Sequence, residues 1–236
     1  MFHVRRAIIM AAGRGERLRP VTDTIPKPMI PVNGVPMIVS ILRALQKNHI
    51  DETVIVTGYL AEAFEPLRKE FSGVRLIHNP VWAECNNISS MYAAREFLPE
   101  SIVLDGDQVI RNPEALGPEA EHSGYNAVWT EQETGEWLMT LDGHGIVTGC
   151  SRTGGSRGWQ LYSVSRWSRE DGLQLAQDVA EAFDSGKRDI YWDDVPFFVH
   201  PEHYRLGVRA MAAGDVTEID SLEELKEYEQ NNKGQN

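Results

Sequence analysis

The first 110 residues alternate between short apolar runs with strand character and longer segments with helical spacing. The strand candidates are "VRRAIIMAA", "ETVIVTGY", "VRLIHNP" and "SIVLDGDQV", and helix-like segments such as "PMIVSILRALQKNHI" and "NNISSMYAAREFL" lie between them. Repeated β-α-β units form parallel sheets with crossover helices. Continuous β-branched runs such as "ETVIVT" are typical of strands buried on both faces. The sequence therefore predicts an α/β domain with a mostly parallel central sheet and flanking helices.

The second half has a different pattern of predicted elements, in which short strand candidates follow one another without helices between them. They are "YNAVWTEQ", "EWLMTLD", "GIVTGCSRT" and "WQLYSVSRWS", followed by the helix-like "REDGLQLAQDVAEAFDSG". We interpret them as a small β-rich extension or lid of a single domain covering residues 1–230, with a frayed polar tail at 231–236. A further helix is predicted over "LAEAFEPLRKEF", although Pro66 must strain or interrupt it.

Charge is distributed unevenly along the chain. The formal net charge is −12, yet residues 1–30 hold six basic side chains and only two acidic ones. Nucleic-acid partners need a basic face, so the overall balance argues against them. A small basic region in an acidic body indicates a small anionic ligand. No apolar run is long enough to span a bilayer, and two cysteines are too few for a disulfide framework. We therefore expect a cytoplasmic protein without a membrane partner. The sequence contains no pattern that indicates an oligomeric state.

The basic region contains a glycine loop directly after the first strand candidate. Gly13 and Gly15 permit a sharp turn, and successive backbone N–H groups in such a loop bind anions. Arg14 and Arg17 add guanidinium donors that suit phosphate oxygens. A surface loop with solvated charges is the plain alternative. The loop is neither a Walker A motif nor a dinucleotide fingerprint, because the required spacings are absent.

Lys27 lies in "IPKPM", between Pro26 and Pro28. The two prolines stiffen the backbone and fix the direction of the lysine. This arrangement suits a single compact charge aimed at one phosphoryl group. Together with the glycine loop, it favours phosphate binding over a solvated surface loop.

Acidic residues end the strand "SIVLD". Asp105 and Asp107 lie at the edge of the predicted sheet where α/β proteins bind ligands. Carboxylates at that edge can hold Mg²⁺, which bridges phosphate oxygens. The alternative is that these acids belong to a turn or cap a helix.

Two segments combine aromatic and acidic residues. "GEWLM" contains Glu136 and Trp137, and "DIYWDD" contains Tyr191, Trp192, Asp193 and Asp194. Aromatic faces attract organic cations by roughly 0.5–2 kcal/mol per contact. A single tryptophan would indicate a core residue, but two such segments favour a site for an organic cation.

The segment "AIIMAAGRGERLRPVTDTIPKPMIPVNGVPMI" resembles the signature of nucleotidyltransferases that couple a nucleoside triphosphate to a phosphorylated small molecule. Its pattern G-x-G-x-R…P-K is matched at Gly13, Gly15, Arg17, Pro26 and Lys27. The resemblance implies a Rossmann-like fold of the nucleotide-diphospho-sugar transferase type. It also implies a nucleotide-binding loop (Ala12, Gly13, Arg14, Gly15), catalytic roles for Lys27 and Arg17, and an Mg²⁺ cofactor held by Asp107 and Asp220.

Most of the chain resembles bacterial CTP:phosphocholine cytidylyltransferases and the related enzymes that make CMP-2-aminoethylphosphonate. The resemblance is carried by "GEWLM", "DIYWDD", "NPVWAECNNISSMY" and "VTEIDSLEELKEY". It implies CTP as a substrate and a site for the second substrate formed by Ser89, Glu136, Trp137, Tyr191, Asp193 and Glu218. Asn86 and Asn87 are candidates for contacting the base, or they cap the following helix. Asp220 has its own alternative, since it or Ser221 can cap the last helix.

The identity of the second substrate stays open at the level of sequence. Choline has no N–H donors and requires an aromatic cage, whereas an aminoethyl group requires carboxylates such as Asp193, Asp194 or Glu218. The small hydroxyl residues Ser89 and Ser90 after the paired asparagines leave room or supply hydrogen-bond donors near the substrate, which keeps a primary ammonium or a phosphonate open. Two other functions are compatible with parts of the pattern. One is a sugar-1-phosphate nucleotidyltransferase, and the other is a non-catalytic nucleotide-binding module.

Overall fold

The computed structural model describes residues 1–232, in which a nine-stranded sheet is the main element. The strands are β1 (Phe2–His3), β2 (Arg6–Ala11), β3 (Pro31–Val32), β4 (Val35–Pro36), β5 (Glu52–Thr57), β6 (Val74–His78), β7 (Ser101–Asp105), β8 (Gln108–Ile110), β9 (Glu119–Ala120), β10 (Gly124–Thr130), β11 (Leu138–Leu141), β12 (Val147–Ser151), β13 (Gly158–Trp167), β14 (Gly207–Ala210) and β15 (Val216–Glu218). The α-helices are α1 (Met37–Lys47), α2 (Leu67–Glu70), α3 (Ile88–Ala94), α4 (Arg169–Asp184) and α5 (Leu222–Asn231).

Four parallel strands form the first half of the sheet, in the order β7-β2-β5-β6. Side chains alternate between the two faces of a strand, so β2 contributes to two cores. Ile9 packs with Ile41 of α1 on one face, and Ile8 packs with Met91 of α3 and Leu175 of α4 on the other. Both faces are therefore covered by helices, and the loops that follow β2, β5 and β7 open at the same edge.

The antiparallel half continues the same sheet. β13 pairs with β7 in antiparallel orientation, and β11 and β12 extend the sheet beyond it. β10 pairs with both β13 and β14. The prediction of a parallel α/β sheet with flanking helices and a β-rich extension is confirmed, and the extension joins the central sheet edge to edge.

A small antiparallel ribbon brings the end of the chain to the end of β7. β8 follows β7 after a two-residue turn and pairs with β15, with Gln108 opposite Glu218. α5 begins immediately afterwards with a capping box between Ser221 and Glu224. The ribbon therefore places Glu218 and Asp220 close to Asp107, although more than 100 residues separate them from Asp107 in the chain.

Pro66 breaks the helix expected over "LAEAFEPLRKEF". The structure has a 3₁₀ turn at Ala61–Phe64 and the short helix α2, with Pro66 at its N-cap. Proline has no backbone N–H to donate, so the helix restarts there instead of continuing.

The last helix reaches into the segment predicted as a polar tail, 231–236. α5 includes Asn231, and Asn232 donates its backbone N–H to the carbonyl of Tyr228; the rest of that tail, 233–236, lies outside the described residues. Within residues 1–232, the helices are all too short or too polar to cross a lipid bilayer.

Candidate active site

The glycine loop leaves β2 at the ligand-binding edge of the sheet. Gly15 has φ of 66°, in the left-handed region that disfavours residues with a Cβ. A Cβ at this position would also lie 2.8 Å from Cβ of Lys27. Gly13 faces open space, since no atom lies within 4 Å of the position a Cβ would take. The loop therefore leaves room on the cleft side and packs tightly against the lysine.

Lys27 is buried beneath this loop and forms two close ion pairs. Its Nζ lies 2.5 Å from Oδ2 of Asp107 and 2.6 Å from Oδ1 of Asp220. Burial by itself would lower the pKa of Lys27, but the two carboxylates outweigh it and raise the pKa. The lysine is therefore a fixed positive charge at neutral pH.

Three carboxylates surround this lysine. Asp107, Glu218 and Asp220 each place an oxygen within 4.8 Å of the others. Arg17 also reaches the group, with its Nη2 2.6 Å from Oδ1 of Asp220. A single lysine does not compensate the cluster: burial and the nearby charges of Asp107, Asp105 and Asp220 raise the pKa of Glu218 to about 9.

The carboxylate cluster fits a hard divalent cation. Oδ1 of Asp107 is buried and has no hydrogen-bond partner among residues 1–232. An unpartnered carboxylate oxygen beside two further carboxylates is the oxygen-rich donor set that Mg²⁺ prefers. Burial and the charge of Asp107 also raise the pKa of Asp105 well above its ordinary value, which indicates excess negative charge at this edge.

Two adjoining clefts meet at this cluster. The smaller, about 250 Å³, is lined by the glycine loop, Lys27 and the carboxylates. The larger, about 310 Å³, extends to the antiparallel half of the sheet. Both clefts share the side chains of Arg17, Glu218 and Asp220. A ligand in one cleft would therefore lie directly beside a ligand in the other.

The far end of the larger cleft contains a buried acid. Asp193 lines the cleft, and its Oδ1 has no hydrogen-bond partner among the described residues. Burial raises the pKa of Asp193 to about 7, the neighbouring Tyr125 hydroxyl lowers it and the charge of Asp194 raises it. A buried carboxylate oxygen without a hydrogen-bond partner is costly, and a cation with N–H donors that binds to it offsets this cost.

Aromatic rings form the wall next to Asp193. Trp137 meets Tyr191, Phe197 and Phe198 edge to face, at centroid separations of 6.1, 6.1 and 5.6 Å. The guanidinium of Arg152 stacks on Phe198, with Cζ 3.9 Å from the ring centroid, and lies 5.9 Å from that of Trp137. The guanidinium of Arg152 therefore already covers part of the aromatic surface that a substrate cation would contact.

Comparison with known proteins agrees with this geometry. The family model described as "MobA-like NTP transferase domain" matches residues 7–212. The chain belongs to this nucleotidyltransferase family.

Two curated members of the group cover almost the whole chain. The 2-aminoethylphosphonate cytidylyltransferase of Lancefieldella rimae is 34% identical over 94% of this chain and 91% of its own length. The choline-phosphate cytidylyltransferase of Streptococcus pneumoniae is 31% identical over 98% of this chain and 100% of its own length. A solved structure of CTP:phosphocholine cytidylyltransferase from S. pneumoniae has a TM-score of 0.91 at 30% identity, covering 98% of this chain and 100% of that chain.

Most predicted site residues of this nucleotidyltransferase line the two clefts. The larger cleft includes Arg17, Asn87, Glu136, Trp137, Tyr191, Asp193, Glu218 and Asp220, and the smaller one includes Gly13, Gly15, Lys27 and Asp107. Ala12 is buried behind the loop, where its carbonyl accepts the N–H of Tyr59. Arg14 lies over the ring of Tyr59 instead of lining either cleft.

The structure does not bring Ser89 or Asn86 to the clefts. Ser89 is buried, donates its hydroxyl to the carbonyl of Asn86 and accepts a hydrogen bond from Asn79. Asn86 accepts the N–H of Asn87 through its side chain and donates its own N–H to the carbonyl of Arg188. That these two residues bind substrate and nucleotide stays a prediction; in the structure their hydrogen bonds organise the turn before α3.

The acid Asp194 and the base Arg152 form a pair that the sequence analysis did not find. Nη2 of Arg152 lies 2.5 Å from Oδ1 of Asp194, and the other oxygen of Asp194 accepts the N–H of Tyr191. Asp194 is therefore not free to bind a substrate cation. Arg152 lies at the end of a hairpin strand, and no local pattern marks its contact with residues 40 positions away.

Proposed function

We propose that this chain is a cytidylyltransferase that joins CMP from CTP to a small ammonium-bearing phosphate or phosphonate and releases pyrophosphate. The observation that carries the proposal is the position of Lys27 and the carboxylate cluster between two adjoining clefts, one of which ends at Asp193. The nearly full-length cytidylyltransferase relatives support CTP as the donor.

The glycine loop and Arg17 hold the triphosphate, with backbone N–H groups and a guanidinium as donors. The proposed Mg²⁺ would be held by Asp107 and Asp220, with Glu218 beside them, and supplies charge neutralisation for the phosphate oxygens. Lys27 stabilises the charge that develops on the α-phosphoryl group as it is transferred. Asn87 faces the larger cleft near the acceptor.

The chemical step is an in-line displacement. An oxygen of the acceptor's phosphate or phosphonate forms a bond to the α-phosphorus, and the bond from that phosphorus to the bridging oxygen breaks. The electron pair leaves with pyrophosphate. A phosphomonoester has a second pKa of about 6, so the nucleophile is largely ionised near neutral pH and needs no dedicated base. Catalysis then consists of positioning and charge stabilisation.

The cationic end of the acceptor is proposed to bind at Asp193, between Trp137 and Tyr191. A primary ammonium suits this position because it can donate hydrogen bonds to the unpartnered oxygen of Asp193. The ring of Trp137 is less available, since Arg152 already lies near it. These contacts favour an acceptor with a primary ammonium group, and the similarity to a 2-aminoethylphosphonate cytidylyltransferase supports 2-aminoethylphosphonate among such acceptors. The aromatic wall keeps phosphocholine as the second candidate.

The proposal is tested by pyrophosphate release over four nucleoside triphosphates, each combined with phosphocholine, phosphoethanolamine, 2-aminoethylphosphonate or glucose-1-phosphate. We expect the highest kcat/KM for CTP with 2-aminoethylphosphonate. Turnover confined to glucose-1-phosphate would identify a sugar-1-phosphate nucleotidyltransferase. Tight CTP binding without release for every acceptor would identify a non-catalytic module.

Asp193→Asn is expected to change the pH dependence of acceptor binding. The carboxylate must be ionised to bind an ammonium group, and its pKa is about 7. The KM of the wild type for the acceptor should therefore rise about tenfold per unit as the pH falls below 7. The variant should have a KM raised by about 100-fold, from loss of a buried charged contact, and should lack this titration. An unchanged acceptor KM in the variant would remove Asp193 from the site.

The same substitution is expected to stabilise the protein without ligands. The folded-state pKa of Asp193 lies above its ordinary value of 3.8, so ionisation destabilises the fold as the pH rises through 7. At pH 8, relief of this cost should raise the free energy of unfolding by on the order of 2 kcal/mol, or about 5 °C in Tm. A Tm that falls at pH 8 would contradict the account.

Arg152→Ala is expected to shift selectivity toward quaternary ammonium substrates. The change exposes the faces of Trp137 and Phe198 to a quaternary ammonium group. The ratio of kcat/KM for phosphocholine over that for 2-aminoethylphosphonate should therefore rise about tenfold. Arg157→Ala is a matched control, because Arg157 lies in the same loop between β12 and β13 but stacks over Trp129 and pairs with Glu131. The same ratio in both variants would exclude this role for Arg152.

A further inference from the structure

A second group of metal-ligand side chains lies outside both clefts, where the turn Pro201–His203 meets α4. His200 and His203 flank this turn, and their rings stack in parallel with centroids 5.0 Å apart. Glu202 lies between them in the chain, and Asp178 and Glu181 face them from α4. None of these residues contributes to the proposed transfer reaction.

Asp178 fixes the orientation of His203. Its side chain is buried, and Oδ2 lies 2.9 Å from Nδ1 of His203 and also accepts the hydroxyl of Tyr204. A carboxylate acceptor keeps the proton on Nδ1 and leaves the lone pair of the neutral ring on Nε2. Metal-binding histidines commonly donate their other ring nitrogen to a carboxylate in this way, which sets the tautomer and increases ligand basicity.

One carboxylate oxygen lies between nitrogens of both rings. Oε1 of Glu202 is 3.8 Å from Nε2 of His203 and 3.9 Å from Nδ1 of His200. These separations exceed a hydrogen bond, whereas ligands bonded to one tetrahedral ion at about 2.0–2.1 Å lie about 3.3 Å apart. The Glu202 side chain is 65% exposed, so it can close the remaining half ångström or so. The ring of His200 must turn out of the parallel stack toward the lone pair of His203, because each lone pair lies in the plane of its ring; His203 keeps the orientation that Asp178 gives it.

We infer that His200, His203 and Glu202 form a binding site for a first-row transition-metal ion of the Zn²⁺ class, with Asp178 orienting His203. Two imidazoles and a carboxylate suit Zn²⁺, whereas the all-carboxylate cluster in the cleft suits a hard cation. Glu181, 3.9 Å from Nε2 of His200, offers an alternative ligand for that ring.

The proposed metal site is connected along the chain to the acceptor end of the larger cleft. The segment from Tyr191 through the helical turn Val195–Val199 leads straight to His200. An ion bound at His200 and His203 reinforces the link between this segment and α4, where His203 already meets Asp178. We therefore expect Zn²⁺ to raise the thermal stability of the protein and to alter the KM for the acceptor more than that for CTP. The latter effect rests on the proposed function; metal binding does not.

The test is a Zn²⁺ titration of the full-length, untagged protein by competition with a chromophoric chelator, in saturating Mg²⁺ at pH 7.5. We expect one Zn²⁺ site that survives Asp107→Asn and loses at least about tenfold in affinity in both His203→Gln and His200→Gln. His144→Gln is the control, because His144 is exposed on the turn between β11 and β12 and belongs to neither group of metal-ligand side chains. Because protons compete with the metal ion for imidazole nitrogens, the Zn²⁺ affinity should rise from pH 6 to pH 8.

Co²⁺ provides a second readout that does not depend on activity. Its visible absorption bands report tetrahedral coordination, and we expect them in the wild type and not in His203→Gln. Equal Zn²⁺ affinity in the wild type and both histidine variants, or no site other than the one removed by Asp107→Asn, would overturn the inference. Circular dichroism of the variants identifies any that fail to fold, and Glu202→Gln, on an exposed side chain, then replaces them.

Discussion

Replacing Lys27 by methionine is expected to lower kcat for pyrophosphate release by about 10³-fold. Methionine keeps most of the aliphatic length of lysine under Gly15 but removes the charge that lies 2.5 Å from Asp107 and 2.6 Å from Asp220. That charge is buried and fixed in position, so it acts on the transferred phosphoryl group without a cost of reorganisation. The loss should therefore fall on kcat much more than on the affinity for CTP.

Lys69→Met is the matched control for this change, because Lys69 is exposed on α2. Both variants should retain the wild-type circular dichroism spectrum. CTP affinity is measured by calorimetry and kcat by pyrophosphate release. Near-normal turnover in Lys27→Met would show that the lysine is a structural ion-pair partner and has no part in the transfer.

Asp107→Asn is expected to abolish Mg²⁺-dependent turnover, with a loss of about 10³-fold at any accessible Mg²⁺ concentration. The amide keeps the shape of the side chain but removes the negative charge whose Oδ1 lies buried without a partner. It also relieves the repulsion that raises the pKa of Glu218, so the fold should not be weakened by more than the loss of one ion pair.

The measurement is kcat as a function of Mg²⁺ concentration, with Asp184→Asn, an exposed residue at the end of α4, as the control. A variant that regains full activity at high Mg²⁺ would show that Asp107 contributes only to metal affinity. Wild-type activity at ordinary Mg²⁺ would move the metal site away from β7 and β8.

Local patterns in the sequence were sufficient for the parallel strands and the glycine loop. β2 and β5 are continuous apolar runs, which only a sheet covered on both faces can bury. A glycine loop that follows such a strand lies at the carboxyl end of the sheet, where α/β proteins bind ligands. Pro66 was recognised as a break in the expected helix, but the sequence could not show that a 3₁₀ turn would replace its first half.

Contacts between distant segments were harder to predict. Asp107 and Glu218 meet because β8 and β15 form a ribbon, and neither three-residue strand is distinctive in sequence. The hydroxyl of Ser89 is a second example, because the sequence does not show which way a hydroxyl near a predicted site points. In the structure it hydrogen-bonds to Asn79 and Asn86 and closes a buried turn. Arg152 was missed for the same reason, since its partners lie on another segment.

The central claim is that CMP is transferred to an acceptor bound between Asp193 and the carboxylate cluster. ³¹P nuclear magnetic resonance of the protein with CTP, Mg²⁺ and 2-aminoethylphosphonate tests it directly, because it detects the bond that forms. We predict a coupled pair of new resonances from a phosphonate–phosphate anhydride, together with an equal amount of pyrophosphate, and neither signal in Lys27→Met. Free CMP and pyrophosphate with an unchanged acceptor resonance would mean hydrolysis instead of transfer and would contradict the account.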